Sequence, residues 1–148
     1  DSTTPTLTTA TETNPYITSP REFTTVSATA ANGTAQFDVL TQGILYYTTN
    51  ATANFTLNFR GNSGTTLNSI MNTGDSWTVS FLATQGTTPY YLNTNPTVDT
   101  NATVTIKWSG GTAPSAGNAS SIDIYSFTII KTGVSTFTVL GAGPVKYA

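Results

Sequence analysis

A strict two-residue alternation of apolar side chains decides most of what this chain can fold into. In ANFTLNFR, residues 53–60, Phe55, Leu57 and Phe59 alternate with Thr56 and Asn58; Trp77, Val79 and Phe81 repeat the pattern, as do Val104, Ile106 and Trp108. Side chains of a strand point alternately to its two faces, so each run sends one face into a core and the other toward water or a partner. Register follows, because a slip of one residue turns every core side chain outward. Only LNSIMN, residues 67–72, suits a helical turn, and it is too short to persist without tertiary support.

The remaining runs extend the pattern. FTTVSATA and TAQFDVLT flank Asn32-Gly33, a type I′ hairpin signal, and GILYYTT leads through Asn50-Ala51-Thr52 into the run at 53–60. IDIYSFTIIK, 122–131, and STFTVLG, 135–141, surround a turn at Thr132 to Val134. Ile124, Phe127, Ile129 and Ile130 do not share one face, which marks the former as a central strand. About eight strands between Gly, Asn and Pro punctuation predict an all-β fold, a two-sheet antiparallel β-sandwich with jelly-roll and Greek-key topologies both open. No repeat of fixed period is evident, which argues against a propeller or β-helix. Residues 23–148 are the sandwich domain. Residues 1–22, with Pro5, Pro15 and Pro20 and few large apolar side chains, read as an extended arm or linker, a tether in preference to a donated strand.

Composition removes several function classes. Five Lys and Arg against seven Asp and Glu make no basic field, so nucleic acid is not an expected partner. Cysteine is absent, which excludes a disulfide framework and thiolate metal sites; histidine is absent too, removing the usual general base and the commonest zinc ligand. No apolar run of about 20 residues and no charged leader is present, so neither membrane insertion nor a targeting segment is expected. The start at Asp1 suggests a processed product or the ordered part of a longer polypeptide.

Asp38, Asp75, Asp99 and Asp123 each stand alone in their segments and read as strand-edge and turn residues. No catalytic, cofactor or metal residue is assigned, and the chain is not read as an enzyme. Asp99 in NTNPTVDTN lacks the D-x-D-x-D-G pattern of a calcium loop and reads as an Asx-turn. The Asn-x-Ser/Thr triplets at Asn32, Asn50, Asn54, Asn101 and Asn118 are expected by chance in a chain this rich in Asn and Thr. Lys107 and Lys131 read as strand-end lysines that reach back to water. The tyrosines Tyr46-Tyr47, Tyr90-Tyr91 and Tyr125 are more informative: neighbours on a strand face opposite ways, so one of each pair leaves the core, where it suits an interface or stacks on a sugar.

One loop stands out. SGGTAPSAGNASS, between Trp108 and Ile122, is far longer than a hairpin needs and free of bulky side chains, which predicts a strap packed on a sandwich edge or a subunit contact. The order of KWSGGTAPSAGNASSIDIYSFTIIKTGVSTFTVLG after GILYYTTNATANFTLNFRG and TTPYYLN resembles a module of virion structural proteins of tailed marine phages, especially T4-like cyanophages, over roughly residues 34 to 148. The resemblance implies a non-enzymatic virion component, whether tail fibre, head or tail appendage, or capsid-surface decoration. Its motif residues are Trp108, Gly110, Gly111, Pro114, Gly117, Asn118, Asp123 and Tyr125, with structural roles. Expected partners are copies of the chain in a homo-oligomer such as a trimer, other virion proteins, and a host surface glycan, with the particle surface as location. Candidate interface or glycan contacts are Tyr47, Tyr90, Tyr91, Trp108, Gly110, Gly111, Pro114 and Asn118. Two alternatives stay open: a carbohydrate-binding adhesin module, and a subunit of an extracellular filament joined by exchange of the N-terminal strand.

Overall fold

The computed structural model describes residues 21–148; most of the expected arm, residues 1–20, lies outside them. Nine strands form in chain order: β1 Thr24–Ala30, β2 Gly33–Asp38, β3 Ile44–Thr49, β4 Phe55–Arg60, β5 Ser76–Thr84, β6 Thr97–Val98, β7 Thr103–Trp108, β8 Ile122–Gly133 and β9 Thr136–Tyr147. One helical turn, α1, spans Leu67–Ile70. Each of the eight runs expected from alternation supplies a strand; the two-residue β6 has no alternation to betray it.

The strands make two sheets, a six-stranded one in the order β1-β3-β5-β8-β9-β7 and a three-stranded one in the order β2-β4-β6. Phe55 from the small sheet meets Phe81 and Tyr125 of the large one at 5.5 and 5.8 Å between ring centres, and Phe59 meets Phe127 at 5.1 Å, all edge to face. These rings, with Leu45, Leu57, Val79, Ile129, Phe137 and Val139, are the buried core. Each large side chain so buried contributes about 1.5–3 kcal/mol.

The pairing differs from the antiparallel expectation. β1, β3 and β5 pair in parallel, as do β2, β4 and β6, and β7 with β9; only β5–β8 and β8–β9 are antiparallel. The first six strands alternate between the sheets, so the chain winds from one to the other. Asn32-Gly33 is therefore no hairpin. Gly33 takes its left-handed φ of 52°, but it carries the chain across to the other sheet, and Asn50-Ala51-Thr52 does the same one turn later. The crossings stack on one another: the Thr52 N–H donates to the Ala31 carbonyl at 3.1 Å and the Ala51 N–H to the Thr84 carbonyl at 2.8 Å, with Ala31 and Ala51 buried between the sheets. A hairpin would leave those two alanines at an exposed tip. Winding of this kind also explains the missing repeat. Thr24 pairs with Ile44 but Ile44 pairs with Ser80, so one turn takes about twenty residues and the next nearly twice that.

As its two-sided apolar pattern predicts, β8 is central, between β5 and β9. A bulge separates the pairs Ile124–Val145 and Ser126–Ala142. Gly143 sits in it at φ 116°, with the space for a Cβ taken by the Ile124 carbonyl oxygen at 2.5 Å, so no other residue fits.

Candidate functional site

The strap is long because the strands it joins are not neighbours. β9 lies between β7 and β8, so residues 109–121 must cross its end. Trp108 closes β7 with its ring laid on Gly141, where a Cβ would come within 2.8 Å, and edge-on to Phe127 at 5.9 Å. Its indole N–H donates to Asn95 Oδ1 at 3.1 Å. A single 3-10 turn, Ser109–Gly111, follows, with Gly110 and Gly111 at φ 73° and 78°. Residues 112–116 are exposed apart from the half-buried Pro114.

The second half of the strap is pinned. Gly117 lies on the Tyr90 carbonyl so closely that a Cβ has no room. The carboxylate of Asp123, fully buried in β8, accepts the Asn118 N–H at 3.0 Å, the Asn118 side-chain amide at 2.7 Å and the Ser121 hydroxyl at 3.4 Å. Buried Gln85 holds the other side: its amide donates to the Tyr90 carbonyl at 2.7 Å and its oxygen accepts the Tyr90 N–H at 2.9 Å. Main-chain bonds from Ser120 to Gly86 and from Gln85 to Ser121, both 2.8 Å, complete the joint. The strap thus fastens loop 85–91 to the start of β8.

The eight candidate contacts do not converge. Tyr90 and Asn118 belong to this joint, and Trp108, Gly110 and Gly111 to the end of β7. Tyr91 stands apart: its N–H donates to Asn54 Oδ1 at 3.1 Å and its carbonyl accepts from Phe55 at 3.1 Å. Tyr47 takes the core-facing register of β3, edge-on to Phe81 at 5.2 Å, and burial, with the negative charge of Asp38 adding, raises its phenol above the usual range. Tyr46 is the outward member of that pair. Tyr125 is fully buried in the core, edge-on to Phe55. Burial is the main cause of a strongly raised pKa; the Leu92 N–H donated to its oxygen at 3.3 Å opposes it, and the nearby charge of Asp123 adds to it.

The lone carboxylates each hold a local structure. Asp38 pairs with Arg60 across β2 and β4 at 2.6 Å. Asp75 accepts the Asn72 N–H at 2.7 Å in the turn before β5. Asp99, at a left-handed φ of 50°, accepts the N–H groups of Leu67 and Asn68 at 2.7 and 2.9 Å; both oxygens thus cap the start of α1 across more than thirty residues of chain, in place of a local Asx-turn. Thr66 caps the same end, its hydroxyl accepting from Ser69 at 3.2 Å. Lys131 departs from its sequence reading: it is buried within β8, its ammonium donating to the carbonyls of Asn68 and Met71 at 2.6 and 2.7 Å. The short helix acquires in this way the tertiary support its length demands.

Asn58 lies on the face that alternation assigns to water or a partner, but it is buried, its amide donating to Gln36 at 2.8 Å while its oxygen accepts from Thr97 and the Thr100 N–H. Alternation sorted its face correctly; it could not show that loop 94–100 returns to cover it. On the outward face of the large sheet, Lys107, Ser126, Thr128 and Leu140 border a shallow groove of about 400 Å³ that Trp108 also lines. Comparison with protein-family models, with curated proteins and with solved structures finds no match to this chain.

Proposed function

We propose that this chain is a non-enzymatic structural protein of a phage virion, a fibre, head or tail appendage, or capsid-surface component, that works by packing on its own copies and on other virion proteins. The observation that carries the reading is where the winding begins. β1 and β2 are the first strands of their sheets and stand at the same end of the stack, each with one side unpaired among the described residues. An exposed parallel edge is a template for further β pairing that an assembly covers with a neighbour. The ionisable groups support the same view, since Asp38, Asp75, Asp99, Asp123 and Lys131 are all spent on the frame. So does the resemblance of the strap and its flanking strands to virion modules.

The same edge favours a second reading, a filament subunit, because residues 1–22 lead directly into β1. Deleting residues 1–22 separates the two. A virion component keeps its fold and its binding to copies; a filament subunit joined by strand exchange loses polymerisation altogether.

A further inference from the structure

The outward face of the large sheet is rich in Ser and Thr, as in the pairs Thr78–Thr128 and Ser80–Ser126, but an apolar row crosses it where a water-facing sheet presents polar side chains. Pairing registers align Val26 with Tyr46, Tyr46 with Leu82, Leu82 with Ile124 and Ile124 with Val145, so one straight row of apolar side chains runs across five strands. Val26 is 65% and Val145 52% exposed. The flanking rows are neutral: Thr24, Ile44, Ser80, Ser126 and Ala142 on one side, Thr84, Ile122 and Tyr147 on the other. Among the outward positions of the six strands the one charged side chain is Lys107, at the margin on β7.

From this we infer that the large sheet stacks face to face on the same sheet of a second copy, with the row Val26–Tyr46–Leu82–Ile124–Val145 at the centre of the contact. Three properties select a copy of this chain as the occupant. An isologous contact needs a self-complementary surface, and a straight row maps onto itself under a two-fold axis lying along or across it. The face offers no charge pattern to select a charged partner, and stacking two of them desolvates no ion pair. The size also suits: six strands at about 4.8 Å spacing and seven residues of about 3.3 Å rise give a face of about 650 Å², near the roughly 800 Å² per partner of a stable complex. The sheets would lie about 10 Å apart, as in sandwich cores.

The inference rests on the reading of the chain as an assembly component but fails separately from it. Sedimentation equilibrium of the full 148-residue chain tests it, with Val26→Lys/Val145→Lys as the disrupting variant and Ser63→Lys, an exposed position in the turn after β4, as control. The expected result is a self-associating wild type, dissociation at least about ten-fold easier for the double variant from burial of unpaired charge, and no change for the control. Because the chain has no cysteine, Leu82→Cys, at the middle of the row, gives a second readout: a bis-maleimide reaching about 10 Å, the spacing of stacked sheets, links two copies covalently, whereas Ser63→Cys is not linked. A wild type that is monomeric at roughly millimolar concentration, whatever covers the face, overturns the inference. Association indifferent to the double variant does so too, as does equal crosslinking at both cysteines. A monomer that is nonetheless a constituent of particles removes this contact and leaves the structural role standing.

Discussion

Replacing Asp123 by Ala releases the strap, and the structure gives the size of the effect. The carboxylate is fully buried and accepts two good hydrogen bonds from Asn118, at 3.0 and 2.7 Å, and a long one of 3.4 Å from Ser121. A hydrogen bond to a charged group is worth about 1.5–3 kcal/mol net. Two such bonds set the gross loss. Part of it returns, because the variant no longer desolvates a carboxylate and the half-buried Asn118 can turn its donors to water. The net cost is then about 2–4 kcal/mol, which for a domain of this size lowers Tm by about 5–12 °C. Urea unfolding measures it, and limited proteolysis locates it: cleavage between residues 109 and 121 should rise in the variant under conditions where the rest of the chain resists. Asp123→Asn keeps the shape but turns an amide donor toward the Asn118 donors, so it should fall between wild type and Asp123→Ala. A loss below about 0.5 kcal/mol in Asp123→Ala, the range of an ordinary surface change, would refute the pinned strap.

Further outcomes concern the frame. Lys131→Met leaves the carbonyls of Asn68 and Met71 without their donor and should cost about 2–4 kcal/mol in urea unfolding, against less than about 1 for the exposed Lys107→Met. Asp99→Ala, which uncaps α1, should cost about 1–2 kcal/mol in thermal unfolding. Gly143→Ala places a methyl group against the Ile124 carbonyl at a φ disfavoured for alanine and should destabilise by more than about 2 kcal/mol. For pH, the raised phenol pKa values of Tyr125 and Tyr47 mean that the unfolded chain releases those protons first, near its ordinary value of 10.0. Their contribution is therefore complete below pH 10 and is lost as the pH climbs above it. Unfolding free energy should fall between about pH 10 and 11, and Tyr125→Phe should flatten that slope.

Alternation reads which side of a strand is buried, and so the runs around Phe55, Trp77 and Val104 became strands with the expected core faces. It carries no information on which strand lies beside which. An Asn-Gly pair demands a left-handed φ in a hairpin and in a crossing between sheets alike; what separates them is the burial of Ala31 and Ala51 and bonds to a neighbouring crossing, both set by residues far along the chain. The unequal turns of the winding hid its periodicity. The second half of the strap, Gly117 to Ser121, is pinned as its small residues suggest, but residues 109–116 are largely exposed, and the length of the whole is explained only by β9 lying between its ends. Asn58, Asp99 and Lys131 illustrate the same limit: their side-chain chemistry could be read locally, but their partners are contributed by distant segments.

The structural role is tested most directly by peptide mass spectrometry of density-gradient-purified phage particles from a lysate in which this chain is made, with its abundance set against the other particle proteins. The chain is expected to co-purify with intact particles in fixed, repeated copy number. Recovery only in the soluble fraction, with none in the particles, would contradict it.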